Sequence, residues 1–221
     1  MANTDLETGL KNVNNVVFCE NTQQSQAHYR KWSAQYDNDM DVLGVSYSSK
    51  VVDMFEKHVT ELDNLKVLDL GGGTGTASFN LRNRLNFKGE IDILDASMSM
   101  LYEASQKDVG FRNILCHFVT DSGELPFRDE TYDVIISSGA FLPNHIPASS
   151  IFGVINALKR GGLLMLTRRL QTNEEYGEEF VANVEKLCKE KKLKFVDRME
   201  YIHFTNIEHK FQSGGFVYQR L

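Results

Sequence analysis

No stretch of this 221-residue chain approaches the roughly twenty consecutive apolar residues of a membrane-spanning helix, which sets aside a helical membrane protein. Residues 1 to 10 lack a basic flank followed by an apolar run, so they read as neither a secretory signal nor a transit peptide. The expected location is cytoplasmic, with the nucleus as the other option. Cysteine is scarce: Cys19, Cys116 and Cys188 lie far apart with no Cys-x-x-Cys, an odd set that argues against a disulfide framework. Cys116, in an apolar strand, and Cys188, in a helix, are expected to fill the core. There is no basic excess either. The net charge is −6, and broad nucleic-acid binding needs a basic face to release counterions, so a small-molecule partner is expected, with a protein as the second option. His28, His58, His117, His203 and His209 show no metal-ligand spacing, and no metal site is expected. Tyr-x-x-x-Lys, the commonest catalytic pair of short-chain nicotinamide reductases, is absent, as are internal repeats.

The length suits one domain with an N-terminal extension. Residues 1–25 are polar, rich in Asn and Gln and without a sustained period, so they are expected to form a mobile arm. Residues 26–221 form the domain, which opens with a helical segment to about residue 62. A short helix is expected around His28 to Tyr36, then a turn at Tyr36-Asp37-Asn38-Asp39. A second helix, capped by Ser48 or Ser49, puts Val51, Phe55 and Val59 on one face. From Leu65 onward strands and helices alternate. Strands are expected at 66–70, 90–95, 114–119, 132–137 and 163–167, and helices at 76–85, 98–107, 149–159 and 174–190. Near-continuous apolar strands such as Val134-Ile135-Ile136 suit a parallel sheet covered on both faces, a doubly wound α/β architecture. Two β-type runs, 193–205 and 215–220, read as a C-terminal antiparallel hairpin.

The chemistry concentrates in Val67-Leu68-Asp69-Leu70-Gly71-Gly72-Gly73-Thr74-Gly75-Thr76, an apolar strand running into a glycine-rich turn. Glycine permits positive φ and close approach of backbone to a ligand. About twenty residues past Gly75, Asp95 ends the next strand, where a carboxylate can accept from both hydroxyls of a ribose. Both features suit an adenosine-bearing cofactor. A dinucleotide site calls for Gly-x-Gly-x-x-Gly, but this chain reads Asp-x-Gly-x-Gly-x-Gly. The alternatives are an ordinary glycine-rich turn and a dinucleotide site with a relaxed third glycine.

The segment from Asp69 to Gly75 resembles motif I of the class I methyltransferases that use S-adenosylmethionine. Four further segments resemble that family in order: Asp95-Ala96-Ser97-Met98-Ser99-Met100-Leu101, Asp121-Ser122-Gly123-Glu124-Leu125-Pro126-Phe127, Tyr132-Asp133-Val134-Ile135-Ile136-Ser137-Ser138, and Leu158-Lys159-Arg160-Gly161-Gly162, where Arg160 stands in place of the usual proline. The resemblance implies a Rossmann-like seven-stranded sheet, mostly parallel, and S-adenosyl-L-methionine as cofactor. In it, Asp69 would orient the amino group through water and Gly71, Gly73 and Gly75 would make room for the methionine part. Asp95 would hold the ribose, Asp121 and Ser122 would serve the adenine, and Ala96, Met100 and Ser138 would be further cofactor contacts. At a finer grain, Tyr36-Asp37-Asn38-Asp39, Leu166-Thr167-Arg168-Arg169 and Gly215-Phe216-Val217-Tyr218 look like the Williams-Beuren region methyltransferase-like proteins, the methyltransferase-like protein 27 group. There a tyrosine like Tyr36 would lid the cofactor; an aromatic anchoring the arm is the other reading.

Methyl transfer from a sulfonium relies mainly on proximity and orientation, so a base is needed only to remove an acceptor proton. His145, after strand four, is the candidate, weighed against a turn-shaping loop histidine. Arg168 and Arg169 leave the carboxyl end of strand five and are candidate clamps for an acceptor carboxylate, weighed against solvated or helix-capping arginines. The Pro-Pro-aromatic motif of many exocyclic-amine and amide methyltransferases is absent after strand four. Two further function classes stand beside methyl transfer: a cofactor-binding regulatory protein without turnover, and a nicotinamide-dependent oxidoreductase.

Overall fold

The computed structural model describes residues 5–170, 174–208 and 210–221, so residues 1–4 of the expected arm and His209 lie outside the described residues. A sheet of seven strands organises the chain in the order β3-β2-β1-β4-β5-β7-β6. Strands β1 (Lys66–Leu70), β2 (Glu90–Asp95), β3 (Asn113–Cys116), β4 (Tyr132–Ser138) and β5 (Leu158–Arg169) pair in parallel. The hairpin of β6 (Leu193–Ile202) and β7 (Gln212–Arg220) adds antiparallel to β5. The order reverses between β1 and β4, which opens a crevice beyond their carboxyl ends, where ligands bind in sheets of this kind.

Alternate residues of the central strands feed two cores. On one face Val67, Ile91, Val134 and Met165 pack under α3 (Tyr47–His58) and α4 (Thr76–Leu85) through Val51, Phe55 and Leu81. On the other, Leu68, Ile135 and Leu164 meet Ile151, Val154 and α7 (Glu174–Lys189) through Phe180, Val184 and Leu187. The doubly wound sheet and its terminal hairpin are as the sequence implied.

Several local expectations need correction. Strand β3 ends at Cys116 and lies at the sheet edge, so the Cys116 side chain is exposed rather than core-filling, whereas Cys188 packs against the core. The helix expected over 149–159 is a single turn, α6 (Ile151–Val154), between 3-10 turns at Ala148–Ser150 and Ile155–Ala157. Gly153 presses there against the 122–123 loop, and a Cβ on it would lie 2.1 Å from the Ser122 carbonyl oxygen. A side chain at this position would force the two segments apart.

The largest correction is at the N-terminus. Instead of a mobile arm, α1 (Leu6–Val17) forms, with Asp5 accepting from the Thr8 N–H at 2.8 Å as its N-cap. Gly9, Val13 and Val16 are its buried positions, spaced by four and three as an amphipathic helix requires. The period is hard to see because glycine takes one contact position, its would-be Cβ only 3.3 Å from Leu43, and asparagines fill the other faces. Helix α2 (Thr22–Leu43) follows, capped by Asn21 and closed by Gly44 in the left-handed region at φ 66°. The expected turn at Tyr36 to Asp39 lies inside this helix. Asp39 is fully buried there and accepts from the Trp32 indole at 2.7 Å and from Asn12 of α1 at 2.8 Å. Val13, Val16, Trp32, Met40, Leu43 and Phe204 make a small third core that fixes α1 and α2 over the carboxyl end of the sheet. Helix α3 starts at Tyr47, so neither Ser48 nor Ser49 caps it.

Candidate functional site

The glycine turn after β1 is wound tightly. Gly71, Gly73 and Gly75 have φ of 66°, 55° and 74°, values strained for any residue with a Cβ. The Gly71 and Gly72 N–H groups donate to the Leu94 carbonyl at 2.8 and 3.2 Å, and a Cβ on Gly71 would lie 2.5 Å from that of Ala140. Gly75 starts α4 and packs toward Phe111 and Ala104, away from the crevice. A Cβ on Gly73 would meet only the Met100 methyl, at 3.3 Å, so this glycine borders open space.

Asp95, at the end of β2, accepts from the Gly73 N–H at 2.9 Å and from the Ser97 N–H at 2.8 Å, and burial raises its pKa above the usual carboxylate value. Asp69 is fully buried beneath the turn and does not line the crevice. One of its oxygens accepts from the Ser78 hydroxyl at 2.6 Å; the other has no partner among the described residues, and burial pushes its pKa up to about 6.

Beyond the turn lies a cleft whose walls bring together Tyr36, Gly71, Gly73, Asp95, Ala96, Met100 of α5 (Met98–Ser105) and Ser138, residues that the sequence had singled out. Asp121 and Ser122 are not among them. Asp121 is exposed, accepts from the Ser149 hydroxyl at 2.8 Å and borders a neighbouring opening, while Ser122 bonds within its own loop to Thr120 and to the Glu124 N–H. Phe118 and Val119 hold the cleft edge instead.

A second cavity adjoins the first, and the two share Tyr29, Tyr36 and Gly139 as walls. Its lining is aromatic, with Trp32, Tyr47, Phe141 and Phe204, and it also holds both Arg168 and Arg169. The hydroxyls of Tyr36 and Tyr47 share a short hydrogen bond. His145 faces the first cleft, not the second. Its Nδ1 lies 2.9 Å from the Pro143 carbonyl oxygen, which can only accept, so Nδ1 carries the proton and Nε2 accepts from the Tyr29 hydroxyl at 2.9 Å. Burial lowers the His145 pKa, keeping the imidazole neutral.

Sequence reasoning missed Tyr29 and Tyr47 as cavity walls, and missed the tie between α2 and the glycine turn. Asp37 accepts from Lys107 Nζ at 2.5 Å and from the Thr74 hydroxyl at 2.6 Å, and Lys107 also donates to the Thr74 carbonyl at 2.6 Å. An Asp six residues before the end of a long helix gives no local signal of such a role. Among the described residues no cluster of His, Cys, Asp and Glu is arranged to hold a metal ion.

This site fits an adenosyl cofactor without a pyrophosphate. Gly73 leaves room over the turn, a carboxylate ends β2, and a buried carboxylate rather than a cation stands under the turn. A family model described as "Methyltransferase domain" matches residues 61–213. The chain belongs to the class I S-adenosylmethionine-dependent methyltransferases. Among relatives of this methyltransferase, the ubiquinone/menaquinone biosynthesis C-methyltransferase UbiE of Blochmanniella pennsylvanica is 30% identical over 61% of the chain and 54% of the relative. Human methyltransferase-like protein 27 is 28% identical over 72% of the chain and 64% of the relative. The chain thus spans roughly half to two thirds of the length of these relatives. Among solved structures, a SAM-dependent methyltransferase from Aquifex aeolicus superposes with a TM-score of 0.59 at 17% identity, covering 87% of this chain and 98% of the other. The [4+2]-cyclase SpnF superposes with a TM-score of 0.66 at 13% identity, covering 90% and 97%. A cyclase on this fold means that the fold alone does not set the reaction.

Proposed function

We propose that this protein transfers the methyl group of S-adenosylmethionine to a small-molecule acceptor held in the aromatic cavity. The observation that carries the reading is the shared wall: a cofactor-sized cleft and an apolar cavity meet at Tyr29, Tyr36 and Gly139. The cofactor, when bound, supplies a methyl group already activated on a sulfonium. Asp95 would hold the ribose, its geometry fixed by the Gly73 and Ser97 N–H groups. Gly71 and Gly73 would leave room for the methionine part, and Asp69, under the turn, would favour its positive end. Met100 and Ala96 would flank the sugar.

On the acceptor side the chain's task is to orient a nucleophile at the shared wall and, where that nucleophile carries a proton, to remove it. Tyr29 is the group placed to touch it, since its hydroxyl belongs to a side chain lining both cavities and donates to His145 Nε2. A proton accepted at the Tyr29 oxygen would be matched by transfer of the Tyr29 proton to Nε2, with Nδ1–H kept on the Pro143 carbonyl. This makes His145 a positioning residue and proton sink behind Tyr29. The aromatic lining, together with the relatives named as ubiquinone/menaquinone biosynthesis C-methyltransferases, favours a small organic acceptor over a polypeptide.

Two measurements test the reading. Calorimetry should show binding of S-adenosylhomocysteine and not of NAD. Radiolabelled S-adenosylmethionine incubated with a metabolite extract should then yield labelled small molecules. Cofactor binding with no label in any fraction would instead favour a regulatory protein without turnover, and label on RNA that is lost with added salt would overturn the small-molecule acceptor.

A further inference from the structure

We infer that the aromatic cavity takes an acceptor bearing a carboxylate beside a flat apolar body, with Arg168 and Arg169 as the two sides of its anion site. This deepens the methyl-transfer reading and rests on it.

The two arginines end β5, where consecutive side chains leave opposite faces of a strand. Arg168 lies with its guanidinium 5.1 Å from the Phe180 ring centre and 6.0 Å from that of Phe216; Arg169 lies 4.8 Å from Phe204 and 5.2 Å from Phe211. Both nevertheless line the one cavity. Arg168 is only 9% exposed, and its Nε has no hydrogen-bond partner among the described residues.

A buried guanidinium stays protonated, and it is costly unless a carboxylate or an equivalent acceptor completes it. Among the described residues no such partner is supplied. Every ion pair of the described residues lies elsewhere, and the residues outside the description, Met1 to Thr4, Gln171 to Asn173 and His209, include no Asp or Glu. Ring faces offset part of the cost through the aromatic quadrupole, but a ring face takes up none of the N–H donors of the guanidinium plane. What remains is a pair of cations at the wall of an apolar cavity, one of them with its Nε unpartnered among the described residues, and planar, bidentate carboxylate recognition uses such guanidinium groups. The rest of the lining selects the body of the ligand. Tyr29 and Trp32 stack 6.0 Å apart, and Tyr36 meets Trp32 edge-on at 4.8 Å, so the opposite wall is built from ring faces and edges.

Benzoate is a suitable probe, with benzamide as its neutral counterpart and inorganic phosphate as a competitor for the anion site. Calorimetry would use the full chain saturated with S-adenosylhomocysteine. Benzoate is expected to bind at least tenfold more tightly than benzamide. Arg168→Met and Arg169→Met should each weaken benzoate tenfold or more while leaving S-adenosylhomocysteine affinity within twofold. Arg169→Lys should recover part of the loss, since charge returns without the planar fork. Equal binding of benzoate and benzamide, or benzoate affinity indifferent to both substitutions, would overturn the assignment. Phosphate binding more tightly than benzoate would overturn the carboxylate claim and point to a phosphorylated acceptor. Should Arg168→Met fail to fold, Arg169→Met and Arg168→Lys carry the test. Loss of the parent reading is separable, because it would show as absent S-adenosylhomocysteine binding before any benzoate is added.

Discussion

Asp69→Asn should make the unliganded protein more stable and its cofactor binding weaker. The carboxylate is fully buried beneath the glycine turn with one oxygen on Ser78 and the other unpartnered, and its pKa stands at about 6 against an ordinary 3.8. A carboxyl that holds its proton more tightly when folded disfavours the folded state once ionised. That penalty is fully present above pH of about 6, shrinks as pH falls through this value and is gone below the unfolded pKa near 4. A shift of about two pH units corresponds to roughly 3 kcal/mol. Asparagine reproduces the shape of the protonated acid and keeps an acceptor for Ser78. It also places an amide donor where the second oxygen lacked a partner, which costs about 1 kcal/mol. The net expectation at pH 8 is a gain of about 2 kcal/mol in urea unfolding.

The pH dependence separates this cause from a general packing effect. Between pH 7.5 and 5 the wild-type chain should gain roughly 1.5 kcal/mol from this group alone, and Asp69→Asn should lack that component. If the charge serves the positive end of the cofactor, S-adenosylhomocysteine affinity should fall about tenfold in the same variant. A variant less stable than wild type at pH 8, or one with the wild-type pH slope, would refute the argument that this carboxylate is held at a cost.

Asp95→Ala should weaken S-adenosylhomocysteine by roughly ten- to a hundredfold in calorimetry, since the ribose contacts proposed for it and the brace on Gly73 would both be lost. Removing residues 1–18 should expose Trp32, the only tryptophan, and shift its emission to the red with a lower melting temperature; an unchanged spectrum would mean that α1 does not cover it. His145 should titrate below the usual histidine value in imidazole NMR and show the Nδ1–H tautomer, and Tyr29→Phe should move its Nε2 resonance.

How much of this was legible in the sequence follows from how local each signal is. Strand β1, the glycine turn and α4 could be read because apolar continuity, positive-φ glycines and a helix start all lie within one short segment. Gly71, Gly73, Asp95 and Met100 could be grouped from the sequence because they belong to two consecutive strand-to-helix turns, and they line one cleft. Helix α1 was not legible. Its apolar face is three positions wide, includes a glycine, and has meaning only against Trp32, Leu43 and Phe204, the last from the far end of the chain. That Asp121 and Ser122 stand outside the lining of this cleft has a similar origin: where that loop points depends on Gly123 and Gly153 passing at backbone contact, which sequence spacing does not encode.

The aromatic cavity is the extreme case, because its wall takes Val13 from α1, Tyr29 and Tyr36 from α2, Phe141 from the loop after β4, Arg168 and Arg169 from β5 and Phe204 from the β6–β7 connection. Apart from the two arginines at the end of β5, none of these segments carries a pattern that names the cavity, yet each is held by a contact that can be named: Asp39 ties α1 to α2, Asp37 ties α2 to the glycine turn, and Asn206 donates to the Val42 carbonyl at 3.0 Å to tie the hairpin connection to the end of α2. The half of the site around the glycine turn is therefore built from the sheet and its turns, whereas the aromatic half is built from the N-terminal helices laid across the hairpin. On the proposed reading, changes in α1 and α2 would reshape which acceptor is taken while Asp95 and the glycine turn stay as they are. The exception is Asp37, whose bonds to Lys107 and Thr74 link the two halves, so that a change there should disturb both.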